Sequence, residues 1–406
     1  MTEIALGSLF VIALVTGLSA ALLFARRLLI PQEAVAVVVN GGTRIEAGRG
    51  DQLLAVLHGA GIAVPAACGG AGTCGLCRVA VEGPGLGEPQ ATELGILSPA
   101  ERREHLRLAC QTKLRGSVDV TVAADVLAAE SFPCKVLSNC MLAPLIRELT
   151  LELPQGREFR FRAGGFAQLT APAYSLDFAQ IEVDPAHEQA WRIAGWPALK
   201  SASPVPVTRA YSIASRPQDA GRIVFNIRLA VPPAGREHDI PPGIVSSWLF
   251  SLKPGDMVQA GGPFGEFFVQ PSEREMVFIG GGVGMAPLRA MIHEQIGLGT
   301  KRKMSFFYGA RAVADLFYVE EFEAIAATHE NFSWTPALSD PAPSDRWTGE
   351  TGFIHETVRK ALAGHPAPDE CEFYLCGPPV MISAVLAMLH RLGVEPHSIY
   401  NDDFGG

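Results

Sequence analysis

The chain has few cysteines, little charge and no excess of basic residues. Its 8 cysteines in 406 residues are too sparse for a scaffold held by disulfide bonds. Lysine and arginine number 33 against 42 acidic residues, and the net charge of −9 argues against binding to nucleic-acid phosphates. A hydrophobic content of 48% excludes disorder as the main state. At about 150 residues per domain, the length predicts two or three domains.

One stretch near the N-terminus has no charged residue. Residues 4–25 would form about 33 Å of helix, which is enough to cross the ~30 Å hydrocarbon core of a membrane. A cleaved signal peptide is the alternative, but the leader is acidic and Arg26 and Arg27 follow the segment. The segment predicts a membrane anchor over residues 1–30, with the rest of the chain on the cytoplasmic side.

Residues 33–128 are predicted to form a small domain that mixes strands and helices. Two short strands at 35–40 and 43–47 are joined by a glycine turn, and a helix follows with Asp51 as its predicted N-cap. Ser98 and Glu101 form a capping box that predicts a second helix, and residues 117–122 alternate as a final strand.

Four cysteines in this domain have the spacing of a metal centre. Cys68, Cys74, Cys77 and Cys110 are arranged C-x5-C-x2-C-x32-C, and the first three lie in one glycine-rich loop. Zinc is the alternative, but zinc sites usually use two close cysteine pairs. Glycines let backbone N–H groups point at cluster sulfurs, so the pattern favours a [2Fe–2S] cluster. The stretch resembles the plant- and vertebrate-type ferredoxin domain, which implies a β-grasp fold.

Residues 130–270 are predicted to be rich in strands, with an irregular surface segment at 177–207 that contains Trp191 and Trp196. Two motifs follow in this region, R-x-Y-S at 209–212 and a glycine–serine helix start at 243–246. The arginine of the first motif can pair with a pyrophosphate, and its tyrosine ring can cover a flat heterocycle. The helix start of the second motif offers free N–H groups to phosphate. Tyr211 and Ser212 could instead be ordinary strand residues. The R-x-Y-S and glycine–serine motifs resemble the flavin domain of the ferredoxin–NADP reductase superfamily, an antiparallel β-barrel. The resemblance implies that FAD is bound by Arg209, Tyr211, Ser212, Gly243, Val245 and Ser246, with Ser212 near the reactive flavin N5.

Residues 271–406 are predicted to alternate strand and helix around a parallel sheet. A glycine-rich loop follows the first strand without matching G-x-G-x-x-G, and a later strand ends in C-G-P-P. These two motifs resemble the Rossmann-like nucleotide half of the same superfamily. The predicted nucleotide-binding residues are Gly280, Gly281, Gly282, Gly284, Pro287, Cys376, Gly377 and Pro378. Cys376 is also predicted to be catalytic together with Ser212, although a buried structural thiol is the alternative for Cys376.

The choice of nucleotide depends on the residues after the third strand of this domain. Asp340 stands where relatives that bind NADPH tend to have a basic residue, and its carboxylate would repel a 2′-phosphate. Asp340 therefore predicts NADH as the substrate.

The full order of segments resembles one family over nearly the whole length, namely the F subunits of the Na+-translocating NADH:quinone oxidoreductases. That resemblance implies that a hydride passes from NADH to FAD, and single electrons pass through the [2Fe–2S] cluster to partner membrane subunits and ubiquinone. Sodium export across the bacterial inner membrane would be coupled to this transfer. Phe404, near the C-terminus, is predicted by the resemblance to the reductase superfamily to stack on the flavin. The alternative is a disordered tail or a tail that docks partner subunits. The alternative is the reductase component of a bacterial multicomponent oxygenase, which lacks the predicted anchor.

Overall fold

The computed structural model describes residues 14–19, 34–66, 68, 70–123, 126–127 and 131–403. Most of the predicted anchor and Phe404 therefore lie outside the described residues. Among the residues that are described, no helix is long and apolar enough to cross a membrane. The chain divides into two compact units, one made of Met1–Ala60 and Val79–Val122, the other of Gly61–Arg78 and Ala123–Gly406.

The first unit is built on a five-stranded sheet with the order β2-β1-β5-β3-β4. Its strands are β1 Ala34–Val39, β2 Thr43–Gly48, β3 Arg78–Glu82, β4 Leu106–Leu108 and β5 Val118–Thr121. Its helices are α1 Leu53–Gly59, α2 Ala91–Ile96 and α3 Pro99–Arg103. The β1 and β5 strands run parallel while β1 and β2 form the predicted hairpin. The mixed sheet and short helices agree with the expected ferredoxin-like fold.

Local capping in this unit was predicted correctly at one helix and wrongly at another. Ser98 caps α3, and Ser98 and Glu101 form the reciprocal hydrogen bonds of a capping box. The N-cap of α1 is Gln52, whereas the carboxylate of Asp51 accepts a 2.8 Å hydrogen bond from the backbone N–H of Gly48. Asp51 therefore closes the turn after β2, one residue before the helix cap.

A buried ion pair holds the segment that leads to Cys110. The carboxylate of Glu93 is fully buried and receives two N–H groups of Arg107, at 2.9 and 2.8 Å. It also accepts the backbone N–H groups of Gln90 and Leu108. Burial opposes ionisation of Glu93, but these hydrogen bonds outweigh it and lower the pKa of the carboxyl group. The pair thereby fixes α2 against β4, two residues before Cys110.

The second unit contains a six-stranded antiparallel sheet with the order β11-β8-β13-β6-β7-β12. The strands of this region are β6 Ser131–Ala143, β7 Ile146–Glu152, β8 Phe166–Ala171, β9 Tyr174–Asp177, β10 Lys200–Ser203, β11 Val207–Ser212, β12 Arg222–Arg228 and β13 Met257–Phe264. Its helices are α4 Glu188–Ile193 and α5 Ile244–Ser251. A bridge between Ile213 and Phe225 joins the two edge strands, so the sheet closes into the expected barrel.

The prediction of an irregular surface segment at 177–207 was wrong. The segment holds the end of β9, α4 and β10, and Trp191 is only 1% exposed. Trp191 packs against Phe250 and Trp196 at ring distances of 6.0 and 5.6 Å, in a separate apolar cluster with Phe178. The partners of Trp191 include residues up to about sixty positions away, which local sequence patterns do not indicate.

The rest of the second unit is a six-stranded parallel sheet with the order β17-β16-β15-β14-β18-β19. Its strands are β14 Met276–Gly281, β15 Met304–Ala310, β16 Phe332–Leu338, β17 Glu350–Thr351, β18 Glu372–Gly377 and β19 Ile399–Asp403. Its helices are α6 Met285–Gly297, α7 Val319–Thr328, α8 Ile354–Leu362 and α9 Pro379–Arg391. The strand order reverses at β14, which creates the crevice where such sheets bind nucleotides.

Replacing Glu93 by glutamine should destabilise the first unit, because the buried Arg107 cation would lose its counter-charge. Breaking one partner of a buried pair costs about 3–5 kcal/mol. Thermal and denaturant unfolding of the full chain should show the loss. Glu104→Gln, an exposed carboxylate just after α3, is the matched control and should unfold as wild type. Equal stability of Glu93→Gln and the control would contradict the structural role of the pair.

Candidate flavin and nucleotide site

The cysteine loop is shaped so that backbone N–H groups face a sulfur. Gly70, Gly72 and Gly75 have φ of 94°, 78° and 67°, which side-chain-bearing residues rarely adopt. Burial opposes ionisation of Cys68, but backbone N–H groups, foremost that of Cys74, outweigh it and lower the pKa of the Cys68 thiol to about 6. A loop that stabilises a thiolate in this way fits an iron–sulfur ligand.

The fourth predicted ligand lies in the first unit. Cys110 is 1% exposed, and the side-chain amide of Gln111 donates toward its sulfur at 3.5 Å. The side chain of Gln52 donates to the backbone carbonyl of Cys110. These contacts fix Cys110 within its own unit. The assignment of all four cysteines to one cluster remains a prediction from their spacing.

A cavity of about 410 Å³ in the second unit brings most of the predicted flavin and nucleotide residues together. The predicted residues that line it are Arg209, Tyr211, Ser212, Gly243, Val245, Ser246, Gly281, Gly282, Gly377 and Pro378. It also contains Leu76, Asn226, Arg228 and Asp402, which the sequence did not single out. The lining comes from the barrel, the start of α5 and the carboxyl ends of three parallel strands. The predicted flavin-binding and nucleotide-binding motifs therefore share one cavity.

The barrel contributes a cation and an aromatic ring to this cavity. Arg209 and Tyr211 lie on β11, which pairs with β8. Burial lowers the pKa of Arg209, and attraction to Tyr211 and Cys68 partly offsets that effect. Among the described residues no carboxylate forms an ion pair with Arg209. Its Nη1 donates to the Thr208 carbonyl at 2.8 Å, which leaves its other N–H groups for an anionic ligand. Burial raises the pKa of Tyr211, which keeps the phenol neutral.

The start of α5 presents backbone N–H groups to the cavity. Gly243 is the N-cap and has no side-chain capping bond. A Cβ added at Gly243 would lie 2.7 Å from the Ser246 hydroxyl and 2.8 Å from the Ala230 Cβ, so this position tolerates only glycine. A helix start with free N–H groups and a positive dipole end fits the pyrophosphate of a dinucleotide.

The first loop of the parallel sheet approaches β18 at backbone contact. A Cβ at Gly284 would lie 1.9 Å from the carbonyl oxygen of Cys376, well inside the closest distance real side chains show. The buried Tyr308 donates its hydroxyl to the Gly282 carbonyl at 2.9 Å. The close approach explains the glycine at position 284, and the positive φ of 56° favours glycine at position 282. The hydrogen bond from Tyr308 holds the loop at the cavity.

Asp402 is the residue that motif reasoning missed. Its Oδ2 lies 3.3 Å from the Ser212 hydroxyl, which is long for an O–H···O hydrogen bond. Asp402 reaches the site because β19 pairs with β18, with Cys376 opposite Asp402. An acidic residue at the carboxyl end of the last strand is the signal that could have pointed to it.

The remaining predicted residues occupy different places. Cys376 is fully buried and packs in the apolar core. Gly280, Gly284 and Pro287 are also buried and are not among the residues that line the cavity. Asp340 lies outside the cavity, after β16, where it pairs with Arg311. Phe404 lies outside the described residues. The catalytic role of Cys376 and the stacking of Phe404 on the flavin therefore stay predictions.

Another group of side chains that can ligate metals lies at the other end of the parallel strands, beside the amino ends of β14 and β18. Atoms of Glu275, His365 and Cys371 lie within 4.8 Å of one another. The Nδ1 of His365 accepts the backbone N–H of Ala367, so the neutral ring carries its proton on Nε2 and donates it to Glu275 at 3.0 Å. Lys303 neutralises the same carboxylate. Hydrogen bonding accounts for the cluster without a metal.

Comparison with known protein families matches three domain models in the order of the segments. A 2Fe-2S iron-sulfur cluster binding domain matches residues 37–115, an oxidoreductase FAD-binding domain matches 198–269, and an oxidoreductase NAD-binding domain matches 278–386. Among solved structures, an Amycolatopsis cytochrome P450 reductase is similar at 27% identity with a TM-score of 0.61, covering 91% of this chain and 98% of that one. The ferredoxin reductase in carbazole 1,9a-dioxygenase is similar at 25% identity with a TM-score of 0.60, covering 92% of this chain and 98% of that one.

These domains and the shared cavity define a flavin-dependent oxidoreductase that uses NADH, FAD and a 2Fe-2S cluster. Full-length relatives make the assignment narrower. The F subunit of the Na(+)-translocating NADH-quinone reductase of Methylococcus capsulatus is 44% identical over 408 residues and covers all of both chains. The corresponding protein of Neisseria meningitidis is 44% identical over 406 residues, again covering both chains completely. The chain belongs to the family of F subunits of the Na(+)-translocating NADH-quinone reductases.

Replacing Asp402 by asparagine should slow reduction of the flavin by NADH about tenfold or more, because the carboxylate that orients the Ser212 hydroxyl is lost. The rate is measured by stopped-flow absorbance at saturating NADH, and retained FAD is measured in the same samples. Glu395→Gln, an exposed carboxylate shortly before β19, is the control and should react as wild type. A wild-type rate in Asp402→Asn would contradict a role for the Ser212–Asp402 contact.

Proposed function

We propose that the chain is the NADH-oxidising subunit of a Na+-translocating NADH:quinone oxidoreductase. It accepts a hydride from NADH at FAD and releases single electrons through its [2Fe–2S] cluster to membrane subunits and ubiquinone, coupled to sodium export. The observation that carries the proposal is the match at 44% identity along the whole chain to subunits of that name. The cavity that combines flavin and nucleotide motifs supports it independently.

The barrel residues are proposed to hold FAD. Bound FAD accepts two electrons as a hydride and returns them one at a time. Arg209 and the start of α5 bind the pyrophosphate, since both offer positive charge and N–H donors to the cavity. The neutral ring of Tyr211 covers the flat ring system of the flavin.

The residues that face the hydride step are proposed to be Ser212, Asp402 and the two nucleotide loops. Asp402 Oδ2 lies 3.3 Å from the Ser212 hydroxyl and accepts from it, which orients that hydroxyl at the cavity. Gly281, Gly282, Gly377 and Pro378 leave room for the nicotinamide because they have no large side chains. Cys376 supports this wall from the core side.

Electrons are proposed to leave through the cysteine loop. Leu76 lines the cavity and directly precedes Cys77, which is 1% exposed. The side-chain amide of Gln168 on β8 donates to the Val64 carbonyl at 3.2 Å and ties the start of this segment to the barrel. A residue that lines the flavin cavity is therefore the immediate chain neighbour of a predicted cluster ligand.

The membrane anchor is proposed from residues 4–25, with predicted domains at 33–128, 130–270 and 271–406. The proposed location is the cytoplasmic face of the bacterial inner membrane. One transmembrane helix cannot form a sodium path alone, so transport requires partner subunits. The cytochrome P450 reductase and the ferredoxin reductase in carbazole 1,9a-dioxygenase are similar at only 25–27% identity, against 44% for the F subunits, which favours the subunit over an oxygenase reductase.

Replacing Cys74 by alanine tests the electron path, because it removes a predicted cluster ligand while leaving the flavin cavity intact. NADH oxidation with an artificial acceptor that takes electrons from flavin should remain near wild type. The EPR signal of the reduced cluster and quinone reduction by the assembled complex should both be lost.

The matched control is Cys140→Ala, an exposed thiol on β6 outside the cysteine loop. It should keep the EPR signal and both activities. A reduced [2Fe–2S] signal that persists in Cys74→Ala would show that the ligand set is wrong. Loss of quinone reduction in both variants would mean that the effect is not specific to the cluster.

A further inference from the structure

A buried amide oxygen at the flavin cavity has no hydrogen-bond partner. Asn226 on β12 lines the cavity and is only 4% exposed. Its Nδ2 donates to the Tyr318 hydroxyl at 2.8 Å, whereas within the described part of the chain no group donates to its buried Oδ1. A buried acceptor without a partner is uncommon and destabilises the folded chain. A ligand in the cavity that offers a hydrogen to Oδ1 would remove this cost.

Two neighbours fix which end of the Asn226 amide turns toward Tyr318. Burial and the charge of Glu148 raise the pKa of Tyr318, so its hydroxyl keeps its hydrogen. The hydroxyl donates that hydrogen to the Glu148 carboxylate, which only accepts. The Tyr318 oxygen therefore accepts from Nδ2 and would be opposed by Oδ1 in the same place. Tyr318 is not among the residues that line the cavity, so Oδ1 is the end of the amide that remains for a ligand.

Asn226 stands directly opposite Ser212, where β11 and β12 meet. The antiparallel bridge between Ile213 and Phe225 makes Ser212 and Asn226 the next opposed pair, with Cβ atoms about 5 Å apart. Ser212 donates its hydrogen to Asp402, so the Ser212 oxygen and the Asn226 Oδ1 are both acceptors at this part of the cavity. Two acceptors side by side favour a ligand atom that carries a hydrogen over one that carries a lone pair.

Hydride transfer turns the flavin N5 from a hydrogen-bond acceptor into a donor, because the C4–H bond of NADH breaks and an N5–H bond forms, with both electrons passing to the flavin. We propose that Asn226 Oδ1 accepts the hydrogen bond from this new N–H, and that Glu148 and Tyr318 position its amide. Asn226 moves no proton. It stabilises the reduced cofactor over the oxidised one and so raises the flavin potential. The inference rests on the proposed function in placing FAD in this cavity with N5 near Ser212.

Replacing Asn226 by leucine tests the proposal, because leucine fills a similar space without an acceptor. Anaerobic reductive titration of the full chain against a reference dye measures the flavin midpoint potential, and fluorescence measures the affinity for oxidised FAD. The ratio of reduced to oxidised flavin at a fixed potential should fall about tenfold, which is about 30 mV downward for a two-electron couple. Oxidised FAD should bind as in wild type, since its N5 offers no hydrogen to Oδ1.

Tyr318→Phe is the second variant, because it removes the hydroxyl that orients the amide. It should lower the potential in the same direction by a smaller amount. The double variant should fall no further than Asn226→Leu alone, since both changes act through one oxygen. Where Asn226→Leu does not retain FAD, an unchanged potential in Tyr318→Phe overturns the proposal.

Reconstitution with 5-deaza-FAD identifies the hydrogen that Oδ1 accepts. This analogue has carbon in place of N5 and keeps the N3–H, so wild type and Asn226→Leu should have the same potential when they carry it. Mixtures of NADH and NAD+ set the potential in this titration. A difference as large as that found with FAD would show that Oδ1 faces another N–H group and would overturn the proposal.

Asn139→Leu is the matched control. Asn139 also has a buried Oδ1 without a partner and lies on barrel strand β6, but it is not among the residues that line the cavity. Its Nδ2 donates to the Leu249 and Leu252 carbonyls, so the variant should lose stability and keep the wild-type potential. A wild-type potential in Asn226→Leu with FAD bound, or an equal shift in Asn139→Leu, would contradict the role of Asn226. Failure of the wild-type chain to bind FAD would instead contradict the proposed function.

Discussion

The flavin and nucleotide cavity depends on a close backbone contact between two strands of the parallel sheet that only glycine permits. The loop after β14 lies so close to the end of β18 that a Cβ at Gly284 would sit 1.9 Å from the Cys376 carbonyl. A Cβ at Gly281 would lie 2.7 Å from the sulfur of Met381 at the start of α9. This close approach joins β14 and β18 at the point where the strand order reverses. A side chain at Gly281 or Gly284 would therefore push the loop away from the end of β18 and the start of α9.

Polar contacts within the second unit join the barrel to the parallel-sheet region. Arg289 of α6 pairs with Glu321 at 2.7 and 2.9 Å and donates to the Ala214 carbonyl at 2.9 Å, two residues after Ser212. The guanidinium also lies 4.4 Å from the ring centre of Tyr318. Tyr318 in turn donates to Glu148 and accepts from Asn226, both on barrel strands. This network fixes the parallel sheet relative to β11, so Ser212 and Asp402 can share one cavity.

Local sequence signals predicted the parts of the molecule that depend on short stretches of chain. The cysteine spacing, the R-x-Y-S motif and the glycine loops each require particular residue types at adjacent positions, so they are visible in the sequence. Asp402 and Trp191 act through partners far along the chain, and no local pattern records those contacts. Asp51 shows a smaller failure with a local cause, because a turn and a helix start compete for the same carboxylate.

The central claim is that one chain carries electrons from NADH through flavin to the cluster. An anaerobic titration of the isolated chain with NADH tests it most directly, with absorbance following the flavin and EPR following the cluster. A flavin and a [2Fe–2S] cluster together take up about three electrons, so full reduction should need about 1.5 NADH per chain. Cluster reduction should depend on bound FAD. Complete flavin reduction at about one NADH with no cluster signal on further addition would contradict the account.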